Sequence, residues 1–256
     1  MAASQDIDPV TILHEEREVR FLAGIAADPV LALHLAFKGG TALRLVYRCD
    51  RYSDDLDFDI IRTGVTAANI LRALESVARS QELEVTDAWV KHRTILLEVR
   101  VKGWRRKLKV EVSSLLRSSR VPTVVRNIVT SVFPASVNIL TYPLSVLLAG
   151  KMLAVLERPS RTPRDLYDLF WLLSRSIDED ATYLKLAAMT KATRKLVTDR
   201  PLLYRALLEC IDQYSDVQIR SELGALLPRS QRRWASAELK ERTKELLMLQ
   251  LAQMSE

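Results

Sequence analysis

The stretch KGGTALRLVYRCDRYSDDLDFD, from Lys38 to Asp59, decides how this 256-residue chain is read. Toward its end acidic and apolar residues alternate. Residues two apart in a strand point to one side, so the spacing predicts a strand over Leu56–Ile61. Asp55, Asp57 and Asp59 would share a face, with successive Cα atoms roughly 6–7 Å apart. Leu56, Phe58 and Ile60 would point into the core behind them. Three like charges in a row are costly without a cation between them, and aspartate is a poor strand former. A solvated sheet edge protected by its charge is the bland alternative. An EF-hand calcium loop is excluded, because Ile60 stands where that loop needs glycine and Thr66 where it needs its closing glutamate. Magnesium, which takes few protein carboxylates and completes its shell with substrate phosphates, suits the set.

The same stretch begins with Gly39-Gly40-Thr41. Glycines let the backbone come close to an anion, and the helix that follows points N–H groups toward it. Thr41 is expected to cap a helix over Ala42–Tyr47. Such a turn alone is weak; joined to an Asp-x-Asp strand fourteen to sixteen residues on, it pairs a phosphate cradle with metal ligands. A neighbouring strand should add an acid. Glu111, the one acid of Lys107–Ser113, is that candidate, and its bland reading is an ion-pair partner.

Working outward, residues 8–27 show helical spacing behind an Asp8-Pro9 start, and Ala67–Arg79 reads as a second helix. Short β-branched runs follow at Val85–Val90, Thr94–Val101, Leu108–Val112, Val121–Val125 and Val137–Leu140. Gly103-Trp104 suits a tight hairpin. Beyond Pro143 the strand signal ends, and helices are expected over Leu144–Leu156, Asp165–Ser174, Ala181–Val197, Pro201–Tyr214 and Ala235–Met254. The fold class is therefore α+β: an α+β domain over 1–142, then an all-helical domain over 143–256.

Cys49 and Cys210 are too few for a disulfide framework, no apolar run is long enough for a membrane span, and MAASQDIDPV lacks the pattern of a secretory leader. These point to a reduced, cytoplasmic protein. The net charge is +6, and between Arg100 and Arg126 nine basic residues face one acid, Glu111. Arg105, Arg106, Lys107 and Lys109 form its densest part. Such a run is either a solvated face or a nucleic-acid contact.

The order Gly-Gly-Thr-Ala-Leu, Arg-x-Ser-x-Asp-Leu-Asp-Phe, then a strand acid, resembles the AbiEii/AbiGii branch of the DNA polymerase β-like nucleotidyltransferases, which includes the MenT-like toxins. Leu147-Leu-Ala-Gly-Lys151 and Arg161-Thr-Pro-Arg-Asp165-Leu-Tyr-Asp168 extend the resemblance into the helical half. It covers residues 37–173. Asp54 and Asp59 are extra to the pattern, and the serine register selects Asp55 and Asp57. The resemblance implies a cytoplasmic toxin enzyme that uses a nucleoside triphosphate, is held by a cognate antitoxin, and adds nucleotides to the tRNA 3′ acceptor end. A protein acceptor, or a non-catalytic triphosphate-binding regulator, is the alternative. It implies two Mg2+ ions (Mn2+ being the substitute) on Asp55, Asp57 and Glu111, about 3.5–4 Å apart. Lys151 would bind phosphate from near the start of its helix, and Asp165 would be the last site acid, with Asp168 one turn on. Lys38, Gly39, Gly40, Thr41, Arg51 and Ser53 would surround the nucleotide. Phosphorylation of Ser53 would set a dianion against Asp55 and Asp57. The basic residues Arg105, Arg106, Lys107 and Lys109 are candidates to follow an RNA backbone.

Overall fold

A computed structural model describes residues 7–114, 123–131, 133 and 136–254. The chain forms two compact units, one spanning Asp8–Pro143 and the other beginning at Leu144.

In the first unit, helix α1 (Pro9–Ala27) starts where Asp8 accepts a hydrogen bond from the Val10 amide, with proline in the first turn. The short helix α2 (Pro29–His34) leads into strand β1 (Leu35–Lys38), and helix α3 (Gly39–Leu45) follows without a spacer. Strand β2 (Asp55–Ile60), helix α4 (Ala67–Ser80) and strands β3 (Glu84–Lys91), β4 (Thr94–Arg100), β5 (Leu108–Ser113), β6 (Val125–Val129) and β7 (Val137–Thr141) complete the unit. The strands form one mixed sheet in the order β3-β4-β5-β2-β1-β7-β6. β2 runs antiparallel to β1 and parallel to β5. Val19, Phe21, Leu22 and Ile25 of α1 and Ile70, Leu74 and Val77 of α4 join Phe37, Leu56, Phe58, Ile60, Val110 and Val112 in one apolar core. Alternation then puts the odd-numbered residues of β2 on the opposite side of the sheet.

Several local expectations are corrected. Thr41 lies inside α3, which begins at Gly39; its hydroxyl donates to the Asp55 carbonyl at 2.5 Å and caps nothing. That bond ties the glycine turn to the start of the acidic strand. Of the strand expected over Val121–Val125, residues 121 and 122 lie outside the described ones, and pairing with β7 begins only at Val125. β6 is an edge strand, so it can carry an exposed Arg126 and Ile128 that mask the alternation. Gly103 does turn the chain between β4 and β5, with φ of 86°.

The second unit is helical: α5 (Leu144–Glu157), α6 (Pro163–Leu173), α7 (Ala181–Ala187), α8 (Lys191–Leu196), α9 (Arg200–Asp212), α10 (Asp216–Gly224) and α11 (Arg229–Gln253). The single helix expected over Ala181–Val197 is two. The Glu157 carboxylate accepts from the Met189 and Thr190 amides, and Thr190 caps α8 through the Thr193 amide. A distant carboxylate thus satisfies the backbone of the break. α10 escapes sequence reading because it buries just Ile219 and Leu223. α11 begins at Arg229, directly after Pro228, rather than at Ala235.

Candidate active site

The register of three strands builds the site. Asp57 is the Cα partner of Lys38 across the β1–β2 ladder and of Glu111 across the β2–β5 ladder. Asp55 is the partner of Lys109. Asp55, Asp57, Lys109 and Glu111 therefore stand as a block on the face away from the core, which is where strand alternation predicts the acids to be. Asp55, Asp57 and Glu111 are all partly exposed, whereas Leu56, Phe58, Val110 and Val112 are fully buried.

Gly39 closes one side of the block. Its φ is 79°, and a Cβ placed on it would lie 2.3 Å from Asp57 Oδ2. The turn thus packs its bare backbone onto the carboxylate, which only glycine permits. A Cβ on Gly40 would meet the Arg51 guanidinium at 2.3 Å and Ser53 Oγ at 2.9 Å. Arg51 is 2% exposed and donates to the Tyr52 carbonyl at 2.7 Å. Gly39 is required by its φ and by Asp57, and a side chain on Gly40 would displace the Arg51 guanidinium, so the turn, Arg51, Ser53 and Asp57 form one close-packed assembly.

The two extra acids have separate partners. Asp59 is buried; Lys38 Nζ lies 2.6 Å from its Oδ1 and the Tyr142 hydroxyl donates to its Oδ2 at 3.2 Å. Lys38, expected among the phosphate contacts, reaches diagonally past its strand partner to this buried acid. Asp54 pairs with Arg106, and its carbonyl accepts from His14 Nε2 at 3.0 Å. The depth of Asp59 separates it from Asp55 and Asp57, a distinction that period two cannot supply.

The basic run is largely answered from within the chain. Arg100 forms a two-pronged pair with Glu84, Lys107 lies 2.6 Å from Glu98, and Lys109 Nζ lies 3.0 Å from Glu111 Oε2. Burial opposes the charge of Lys109, yet Glu111, with Asp55 and Asp57, raises its pKa above the ordinary lysine value. Arg117 and Arg120 lie outside the described residues. Sequence reading grouped Lys109 with the RNA-facing basic residues, and the strand register sets it beside Asp55 and Glu111. A signal existed, since Lys109 and Glu111 are two apart and must share a face.

Among the described residues no group of three His, Cys, Asp or Glu side chains gathers closely enough to hold a metal ion. The block still fits a hard divalent cation. It offers two or three hard oxygen donors beside a bare-backbone turn, where substrate phosphates would complete the shell.

Beneath the site, α1 carries buried His14 and Glu18. Burial pushes the His14 pKa down; for Glu18, burial and then Asp54 and Glu15 push it well up.

In the helical unit, Lys151 stands mid-helix in α5, not near its start. Its Nζ lies 2.8 Å from Asp165 and 2.7 Å from Asp168, and Arg158 lies 3.1 Å from Asp165. Both acids are buried. The charge on an otherwise apolar helix is thus matched by two carboxylates from α6.

A mixed sheet with an Asp-x-Asp central strand beside a glycine turn places the chain among the nucleotidyltransferase folds. MenT4, a nucleotidyltransferase toxin from Mycobacterium tuberculosis, is 21% identical with a TM-score of 0.56, covering 92% of this chain and 83% of its own. JHP933 from Helicobacter pylori is 21% identical with a TM-score of 0.54, covering 97% and 96%. A further H. pylori structure is 20% identical with a TM-score of 0.55, covering 97% and 99%. Comparison with curated proteins returns no match. The profile of the AbiEii nucleotidyl transferase toxins of type IV toxin–antitoxin systems matches residues 20–246, and the chain belongs to that family. No helix among the described residues is long and apolar enough to cross a membrane.

Proposed function

We propose that this family member transfers a nucleotide from a nucleoside triphosphate to the 3′ acceptor end of tRNA, and so halts translation and bacterial growth until its antitoxin counters it. The observation that carries the reading is the direct register of Asp57 with Glu111, with Asp55 on the same face and Gly39 packed on the Asp57 carboxylate.

Asp55, Asp57 and Glu111 are the residues that would hold the divalent ions. When bound, such ions supply Lewis-acid activation of the attacking hydroxyl and neutralise the triphosphate. Glu111 accepts the proton of that hydroxyl. The Gly39–Gly40 turn lets phosphate oxygens approach the backbone beside Asp57. The resemblance in the helical half would give Lys151 and Asp165 a part in handling the triphosphate. For the acceptor, support comes from the net charge of +6 and from Trp104, partly exposed in the basic hairpin with the Arg17 guanidinium 3.6 Å over its ring. Aromatic and guanidinium planes of this kind stack on unpaired bases.

The test is incubation with each of the four labelled nucleoside triphosphates, Mg2+ and total tRNA, beside Asp57→Asn. Wild type labels tRNA with at least one nucleotide and arrests growth on expression; the variant does neither. Absence of tRNA labelling with all four would overturn the acceptor assignment, and label on a polypeptide instead would move it to protein.

A further inference from the structure

We infer that Lys109 is a tethered counter-cation of the carboxylate block, seated there when no metal is bound and displaced when a divalent ion enters, so that it sets the metal affinity of the site. The inference rests on the reading of Asp55, Asp57 and Glu111 as metal ligands. It changes what Lys109 is for, from following an RNA backbone to guarding the site.

The geometry is a two-by-two block. On β2 stand Asp55 and Asp57; beside them on β5 stand Lys109 and Glu111, each the Cα partner of one acid. Partners in a parallel ladder project to the same side, so all four groups share one face. Lys109 turns along its own strand and brings Nζ to 3.0 Å from Glu111 Oε2. Its neighbours in the basic run are drawn elsewhere, Arg106 to Asp54 and Lys107 to Glu98. Three carboxylates crowded on one face need positive charge, and the chain supplies one from within.

That solution has a consequence for the ion. A divalent cation that takes Glu111 as a ligand is opposed by an ammonium at contact distance, because the two positive charges repel. Lys109 relieves that repulsion by swinging out, which its long flexible stem allows. The lysine therefore weakens binding of a bare ion. A metal that arrives with a triphosphate is penalised less, since the phosphates carry negative charge to meet the released ammonium. The site would then favour the metal–nucleotide complex over the ion.

The experiment uses the full chain and Mn2+ alone, without nucleotide, and follows free Mn2+ by electron paramagnetic resonance. Wild type, Lys109→Met, Lys109→Arg and Asp57→Asn are compared. Lys109→Met is expected to bind Mn2+ about tenfold more tightly than wild type, a change of about 1.4 kcal/mol. Lys109→Arg should stay near wild type, and Asp57→Asn should lose the site. Should Lys109→Met fail to fold, Lys109→Gln takes its place. Equal or weaker Mn2+ binding by the neutral variant, with wild type binding normally, overturns the inference and leaves the metal site standing. Persistence of the tighter binding in Lys109→Met/Asp57→Asn also overturns it, since the ion would then lie elsewhere. Failure of every form to bind Mn2+ overturns the metal reading and this inference together.

Discussion

Replacing Gly39 by alanine tests the site through a single methyl group. Two costs are readable from the structure. At φ of 79° the new residue is held in the left-handed region, which costs about 1–2 kcal/mol for a residue bearing Cβ. The Cβ would also lie 2.3 Å from Asp57 Oδ2 and 3.0 Å from its Cγ. The carboxylate must therefore retreat by about 1 Å to regain ordinary contact, at roughly 0.5–1.5 kcal/mol if it is forced off its rotamer. Gly64 supplies the control: its φ is 90°, but nothing lies within 4 Å of an added Cβ. Gly64→Ala should lose the backbone term alone. In urea melts, Gly39→Ala should be roughly 2–3 kcal/mol less stable than wild type and Gly64→Ala about 1–2 kcal/mol. The rates should separate more sharply. A displacement of about 1 Å at a reacting group can cost on the order of 100-fold, so Gly39→Ala should transfer nucleotide about that much more slowly while Gly64→Ala keeps the wild-type rate. A folded Gly39→Ala protein that labels acceptor at the wild-type rate would refute the claim that the turn positions Asp57. Equal rate losses in both variants would refute it too.

Two further substitutions probe buried charge. Glu18→Gln should stabilise the protein at pH 8, by about 1 kcal/mol or more. The folded pKa of Glu18 is raised, so the folded form holds a proton that the unfolded form releases, and stability falls as pH rises above the ordinary carboxyl value of 4.5. Thermal melts should show the gain fading as pH drops to that value, and a gain unchanged from pH 8 to pH 4.5 would defeat the reading. Lys151→Met leaves buried Asp165 and Asp168 with Arg158 as the cation paired to Asp165. It should destabilise the protein by about 3 kcal/mol or more; a urea midpoint equal to wild type would show that the lysine is not the counter-charge of that cluster.

Much of this architecture is legible in the residues. The alternation of Asp55 to Ile60 is a direct statement of which side chains meet the core, because the strand period admits no other arrangement. The acid on a neighbouring strand, Glu111, follows from the same rule. Depth and partnership do not. Asp59 obeys the same period as Asp57, yet Lys38 and Tyr142 cover it, and neither contact is local in sequence. The basic run reads as a solvated face or a nucleic-acid contact for the same reason: its acids, Asp54, Glu84 and Glu98, come from strands or loops that only the folded sheet brings alongside. Thr41 lies within a helix that begins at Gly39, and its hydroxyl donates to the Asp55 carbonyl where a cap would accept from a helix amide.

β2 is the fourth of seven strands, with three ladders separating it from either rim of the sheet. The carboxylate row is thus carried by the plank farthest from fraying, where opening requires the neighbours on one side to peel first. A substitution on either rim strand, β3 or β6, is separated from Asp55 and Asp57 by two intervening strands.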